Sequence, residues 1–127
     1  MEVIKGLNYW PNYLNTQQIA DIMSDIKAAT KQAPFFIPQM PKTGKNFSVK
    51  MSNMGKVGWV SDKQQGYRYQ PYHPHTKEKW PAISKNIMAI WHQLTGLDAM
   101  ADCCLINYYN QQAKMGLHVD NDEKDFS

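Results

Sequence analysis

The spacing of apolar side chains changes period along the chain, and no all-helical or all-strand fold accommodates both periods. Ile19, Ile22, Met23 and Ile26 recur at i, i+3, i+4 and i+7, which predicts one apolar stripe of an amphipathic helix. Asn15 can cap that helix with Gln18 as its capping-box partner, and Pro34 ends it near Gln32. Ile83, Ile87, Ile90, Trp91 and Leu94 make a second stripe, closed by Gly96. Between the two, Phe47, Val49 and Met51 alternate with Ser48, Lys50 and Ser52, the period of a half-buried strand. Asn53 and Gly55 read as a turn, and residues 57–60 and 66–70 as further short strands. Residues 103–109 are dense in strand formers, with Cys103, Leu105, Asn107 and Tyr109 on one pleated face. After a polar turn at Asn110-Gln111-Gln112, residues 113–120 read as the returning strand, with His118 and Asp120 on one face. The expected class is α+β, two helices packed on a mainly antiparallel sheet.

At 127 residues the chain is sized for one domain. Hydrophobic residues make up 43% and charged residues 20%, enough apolar surface for a core and too little charge for a disordered polyelectrolyte. No apolar run is long enough to span a membrane and the first residues lack a signal-peptide layout, so a soluble, cytoplasmic protein is expected. Cys103 and Cys104 are adjacent in sequence, too close for a loop-closing disulfide, and reduced thiols are expected. Charge is uneven. From Lys42 to Lys85 there are nine basic residues against two acids, and the end carries Asp120, Asp122, Glu123 and Asp125. A basic middle suits a polyanion, although surface lysines are equally common without one.

Two constellations could carry chemistry. His118 and Asp120, two apart on a strand, point an imidazole and a carboxylate the same way and can reach one ion; with a distant second His this is the facial arrangement of non-haem Fe(II) oxygenases. Taken alone, a His-x-Asp pair is more often a surface feature than a metal site. Asn107 and Tyr109 would offer an amide and a phenol to a small acid beside that metal, or else pin a turn and fill core. The second constellation places Trp59, Tyr67, Tyr69, Tyr72 and Trp80 among Lys56, Lys63, Arg68, Lys77 and Lys79. Aromatic faces stack unpaired bases while cations follow phosphates, so the segment suits a single strand or a flipped base; a tyrosine-rich ribbon packing on its own core is as compatible.

Five strings in order carry a resemblance: residues 47–59 (FSVKMSNMGKVGW), 65–69 (QGYRY), 79–82 (KWPA), 104–109 (CLINYY) and 113–123 (AKMGLHVDNDE). Together they resemble the bacterial AlkB family of Fe(II)/2-oxoglutarate-dependent dioxygenases over nearly the whole chain. The resemblance implies a double-stranded β-helix (jelly roll) core, with residues 46–81 as a nucleotide-recognition lid and 103–127 as the start of the catalytic core. It implies oxidative dealkylation of bases such as 1-methyladenine and 3-methylcytosine in single- or double-stranded DNA, with RNA as an alternative. Fe(II), 2-oxoglutarate and O₂ would be consumed or held, and formaldehyde, succinate and CO₂ released. By motif His118 and Asp120 would be catalytic iron ligands, and Asn107 and Tyr109 would contact 2-oxoglutarate. Trp59 would stack on the damaged base, Tyr67 and Tyr69 would contact the substrate strand, Met51 falls at a lid position, and Asp122 and Glu123 at the pocket edge. A cationic alkylated base beside Trp59 and Asp122 is favoured by cation–π attraction and by the carboxylate.

The family pattern also needs a second His and arginines after the His-x-Asp pair, and residues 121–127 contain neither. The expectation is a single, truncated domain lacking the C-terminal half of its jelly roll, inactive by itself, and a monomer at full length. The main rival is a non-catalytic nucleic-acid-binding fragment using the Lys42 to Lys85 surface. A further rival is a metal-dependent nuclease built on Asp120, Asp122, Glu123 and Asp125.

Overall fold

A computed structural model of the chain describes residues 2–116. In chain order the elements are β1 (Glu2–Ile4), β2 (Leu7–Asn8), α1 (Thr16–Gln32), β3 (Lys50–Gly55), β4 (Gly58–Asp62), β5 (Gly66–Gln70), α2 (Lys85–Thr95) and β6 (Cys103–Tyr108). Among the described residues the strands form three two-stranded antiparallel sheets, β1 with β2, β3 with β6 and β4 with β5. The α+β reading of the sequence is therefore met by two helices and small antiparallel sheets.

The ends of α1 follow from local chemistry. Asn15 Oδ1 accepts from the Gln18 N–H and Gln18 Oε1 accepts from the Asn15 N–H, both at 2.8 Å, so two otherwise orphaned donors are satisfied reciprocally. At the other end the Ala33 N–H donates to Ala29 O, and Pro34 has no N–H with which to continue. α2 begins at Lys85, two residues later than its apolar stripe, because Ser84 is the cap and Ile83 packs just ahead of it. It closes at Gly96, whose φ of 70° is the left-handed conformation glycine adopts without a Cβ clash.

β3 is the hub, and it corrects the sequence reading in two ways. It starts at Lys50, three residues later than the alternating run at Phe47, and it continues through Asn53, which is a strand residue and not a turn. Met51, Ser52, Asn53 and Met54 are all buried, so the strand has packing on both faces and shows no alternation of polarity where it is deepest. Met51 on its odd-numbered face, with Val49 just ahead of the strand, joins a cluster with Ala33, Phe36, Val60 and Trp80. Its even-numbered face contributes Met54 to a second cluster with Ala29, Ile83, Met88 and Ile106, which seats both helices on the β3–β6 ribbon. Ser52 Oγ donates to Ala33 O at 2.6 Å and ties the strand to the end of α1. The proline-rich segment after α1, read as a loop, lies as an extended edge: Phe36 exchanges two backbone bonds of 2.9 Å with Met51, and the Gln39 N–H donates to Ser61 O at 3.0 Å.

Candidate functional site

The β4–β5 hairpin pairs Trp59 with Tyr69 and Ser61 with Tyr67. With strand period two, these four residues share one face, and Gly58, Val60, Arg68 and Gln70 share the other. On the first face the Trp59 and Tyr67 rings stack with centroids 5.5 Å apart and planes at 27°, and Phe47 packs against Trp59 at 6.1 Å. Trp59 is half-buried and Tyr67 is 43% exposed, so the stack is backed from within and open outward. An aromatic face with one open side is the element needed to receive a planar base.

The opposite face holds the core. Trp80 is buried, its indole N–H donates to Gln70 O at 2.8 Å, and its ring lies over Gly58, where an added Cβ would sit 2.6 Å from Cζ2. Trp80, counted in the sequence among the base-stacking aromatics, is therefore a core residue. Arg68 is likewise engaged inside the hairpin. Its guanidinium contacts Asp62 Oδ2 at 2.9 Å, Gln70 Oε1 at 2.8 Å and Gly66 O at 3.0 Å, and it holds the Asp62 carboxyl below its usual range. The exposed cations of the region are lysines, Lys42, Lys45, Lys56, Lys63, Lys77 and Lys79 among them. Met51, placed by motif in the lid, is 1% exposed and supports β3 from the core side.

β6 sits beside this hairpin, since β4 contacts both β3 and β6. Asn107 lies opposite Met51 on the odd-numbered face of the ribbon and is exposed. Tyr109 follows the end of β6, 48% exposed, with its hydroxyl 3.9 Å from Met115 Sδ. The predicted polar turn is present: Asn110 Oδ1 accepts from the Gln112 and Ala113 N–H groups at 2.9 Å each, an arrangement asparagine makes with its own chain. Residues 113–116, read as part of a strand, are not in one. They are held against the start of β3 by Ser48, whose hydroxyl donates to Lys114 O at 3.0 Å and accepts from its N–H at 3.1 Å. Ala113 packs on the cluster that includes Phe47 and Trp59. Asn107, Tyr109, Trp59, Tyr67 and Tyr69 are thus carried by neighbouring elements. His118, Asp120, Asp122 and Glu123, with Asp125 of the nuclease reading, lie outside the described residues, and among the described residues no group of three or more His, Cys, Asp or Glu could hold a metal ion.

The chain matches the 2OG-Fe(II) oxygenase superfamily over residues 6–127. It belongs to that superfamily. Over 125 residues, 98% of the chain and 56% of the relative, it is 36% identical to the alpha-ketoglutarate-dependent dioxygenase AlkB homolog of Caulobacter vibrioides (strain NA1000 / CB15N). Over 108 residues, 82% of the chain and 49% of the relative, it is 36% identical to the alpha-ketoglutarate-dependent dioxygenase AlkB of Escherichia coli (strain K12). A 67-residue stretch, 53% of the chain, is 34% identical to 3% of the RNA replication polyprotein of Blueberry scorch virus. The chain spans about half the length of the AlkB relatives it matches. Among the candidates named from the sequence, Asn107 and Tyr109 offer an amide and a phenol as neutral hydrogen-bonding groups, and His118 and Asp120 an imidazole and a carboxylate.

Two further parts of this oxygenase chain were not read from its sequence. Asn53, taken as a turn former, binds the backbone of Trp59; its only signal was an asparagine inside a run of strand-compatible residues. His73 is 2% exposed. Its Nε2 lies 2.7 Å from Pro34 O and its Nδ1 accepts from the His75 and Thr76 N–H groups at 3.0 and 3.2 Å, which fixes the neutral tautomer with the proton on Nε2. Burial, opposed by the bond to Pro34, holds its pKa below the ordinary 6.5. The unfolded chain takes up a proton as pH falls through that value and the folded chain does so only lower. The stability His73 contributes is therefore complete above 6.5 and declines as pH falls toward its depressed folded value. The urea midpoint is expected to drop between about pH 7.5 and 5.5, with a smaller drop in His73→Gln; equal pH dependence in the two proteins would contradict this.

Proposed function

We propose that residues 1–127 form part of a cytoplasmic Fe(II)/2-oxoglutarate-dependent dioxygenase that dealkylates N-alkylated bases, 1-methyladenine and 3-methylcytosine among them. DNA is the polymer, with RNA as a second one. The observation that carries this reading is the Trp59–Tyr67 stack, open on one side, in a segment whose lysines are exposed, and carried by a hairpin that adjoins the β6 strand bearing Asn107. Superfamily membership and the AlkB relatives support the same chemistry.

In this reading residues 46–81 are the substrate lid of a jelly-roll enzyme and 103–127 begin its catalytic core, monomeric at full length. His118 and Asp120 hold iron, and Asn107 and Tyr109 hydrogen-bond 2-oxoglutarate. Trp59 stacks on the lesion, Tyr67 and Tyr69 meet the strand, Met51 supports the lid from beneath, and Asp122 and Glu123 border the pocket. When bound, iron with 2-oxoglutarate and O₂ supplies the oxidation of the N-alkyl group. The chain's own residues place the base: a cationic alkylated ring gains from the electron-rich face of Trp59 more than its neutral parent does, which makes the stack selective. Residues 1–127 hold one histidine after α2, His118, and one arginine, Arg68, already paired with Asp62. His73, His75 and His92 precede the His-x-Asp pair and do not match the motif of a third iron ligand, and Arg68 is engaged elsewhere, so the 127-residue polypeptide by itself is expected to turn over little.

The test is release of formaldehyde from methylated DNA by these residues joined to the C-terminal part of the Caulobacter relative. A non-catalytic nucleic-acid-binding role predicts instead salt-sensitive binding that is indifferent to methylation and metal.

A further inference from the structure

We propose that Asn53 is a positioning residue for base recognition: its buried amide fixes the backbone of Trp59 and, through it, the aromatic face that receives the alkylated base. The inference rests on the reading of Trp59 given above and adds the residue that holds it. Asn53 is 0% exposed in the middle of β3. Its Oδ1 accepts from the Trp59 N–H at 3.1 Å, and its Nδ2 donates to Trp59 O at 3.2 Å. The N–H and C=O of one strand residue point to the same side, so this face of Trp59 turns away from β5 and toward β3. β3 and β4 belong to separate sheets, and the amide does for Trp59 what a neighbouring strand would have done. Only a group carrying both a donor and an acceptor can do this, which is the property of a carboxamide.

The amide is itself held. The thiol of Cys103, across the β3–β6 ladder, lies 3.4 Å from Asn53 Oδ1 and donates to it. Burial pushes that thiol up to about 11, so it stays protonated as the donor the contact requires. The Trp59 ring is then fixed twice, by its packing with Phe47 and Tyr67 and by Asn53 at its backbone. Asn53→Asp keeps the acceptor for the Trp59 N–H and for Cys103 but sets a carboxylate oxygen against Trp59 O. It therefore releases one end of the contact at constant size.

The experiment measures the affinity of the 127-residue chain for a single-stranded oligonucleotide containing one 1-methyladenine and for its unmethylated twin. The ratio of the two is read, because a loss of folded protein lowers both affinities equally. Wild type is expected to prefer the methylated strand by about tenfold, the scale of a cation–π contact. Asn53→Asp and Trp59→Ala are both expected to bring the ratio close to one, with loss of the near-ultraviolet circular dichroism of the Trp59–Tyr67 pair. Ile106→Val, on the opposite face of the ribbon, is expected to keep the wild-type ratio while lowering stability. An Asn53→Asp ratio equal to that of Ile106→Val, alongside a loss in Trp59→Ala, overturns the role of Asn53 alone. A wild-type ratio of one, or an unchanged ratio in Trp59→Ala, overturns the reading of the stack beneath it.

Discussion

Gly55→Ala is expected to unfold the protein or to cost about 3–5 kcal/mol, more than most core truncations of one methylene. Gly55 closes β3 at φ 125°, a conformation L side chains rarely adopt. A Cβ there would fall on the backbone oxygen of Asp102 and lie 3.0 Å from its carbonyl carbon, and backbone cannot rotate aside as a side-chain tip can. The same point joins three segments: the Gly55 N–H donates to Pro81 O at 2.8 Å, and the Lys56 N–H donates to Asp102 O at 2.9 Å. Displacing it would loosen the entry to α2 and the start of β6 together. Gly116→Ala, with open space around the added carbon, is expected to change stability by less than about 0.5 kcal/mol. Urea denaturation of the two variants checks the contrast, and similar midpoints would contradict it.

The second large effect falls on metal binding. In the 127 residues completed by the C-terminal part of the Caulobacter relative, His118→Ala and Asp120→Ala are each expected to reduce retained iron to background. A site left with two ligands has neither the charge nor the geometry to compete with water and buffer. Asn107→Ala, which in the proposed site would remove a hydrogen bond to the cosubstrate and no ligand, is expected to retain iron and weaken 2-oxoglutarate binding by about tenfold. Metal content after gel filtration, with cosubstrate titrations on the same samples, separates the two classes. Stoichiometric iron in His118→Ala would remove that residue from the site.

Much of this architecture is legible in the sequence where the determining physics is local. The capping box of Asn15 and Gln18 and the left-handed cap at Gly96 act within four residues, and both helices end as their side chains dictate. β5 matches its expected bounds and β6 differs by one residue, because β-branched and aromatic side chains mark strands with a solvent face. The failures are tertiary. Asn53 was read by its habit of bonding its own chain at turns, whereas here its partner is Trp59 on another strand, and no local rule announces that. Buried on both faces, β3 hides its period. Trp80 shares the composition of a base-stacking ribbon with Trp59, and only the pairing of β4 with β5 reveals that the two rings lie on opposite faces. Ile19 and Met23 belong to the α1 stripe and are nevertheless exposed among the described residues. The stripe predicted a helix correctly and its cover incorrectly. His118 and Asp120, proposed as iron ligands on the His-x-Asp pair and the company of the other motifs, lie outside the described residues.

The central claim, that these residues belong to a dioxygenase for alkylated bases, is tested most directly by turnover. The completed chain would be incubated with Fe(II), 2-oxoglutarate, O₂ and single-stranded DNA containing 1-methyladenine, and formaldehyde and succinate would be quantified against the unmethylated strand. The account predicts formaldehyde in proportion to methylated base, abolished in His118→Ala and strongly reduced in Trp59→Ala, with little from the 127-residue polypeptide alone. A folded, iron-loaded protein that binds both strands alike and releases no formaldehyde would contradict it.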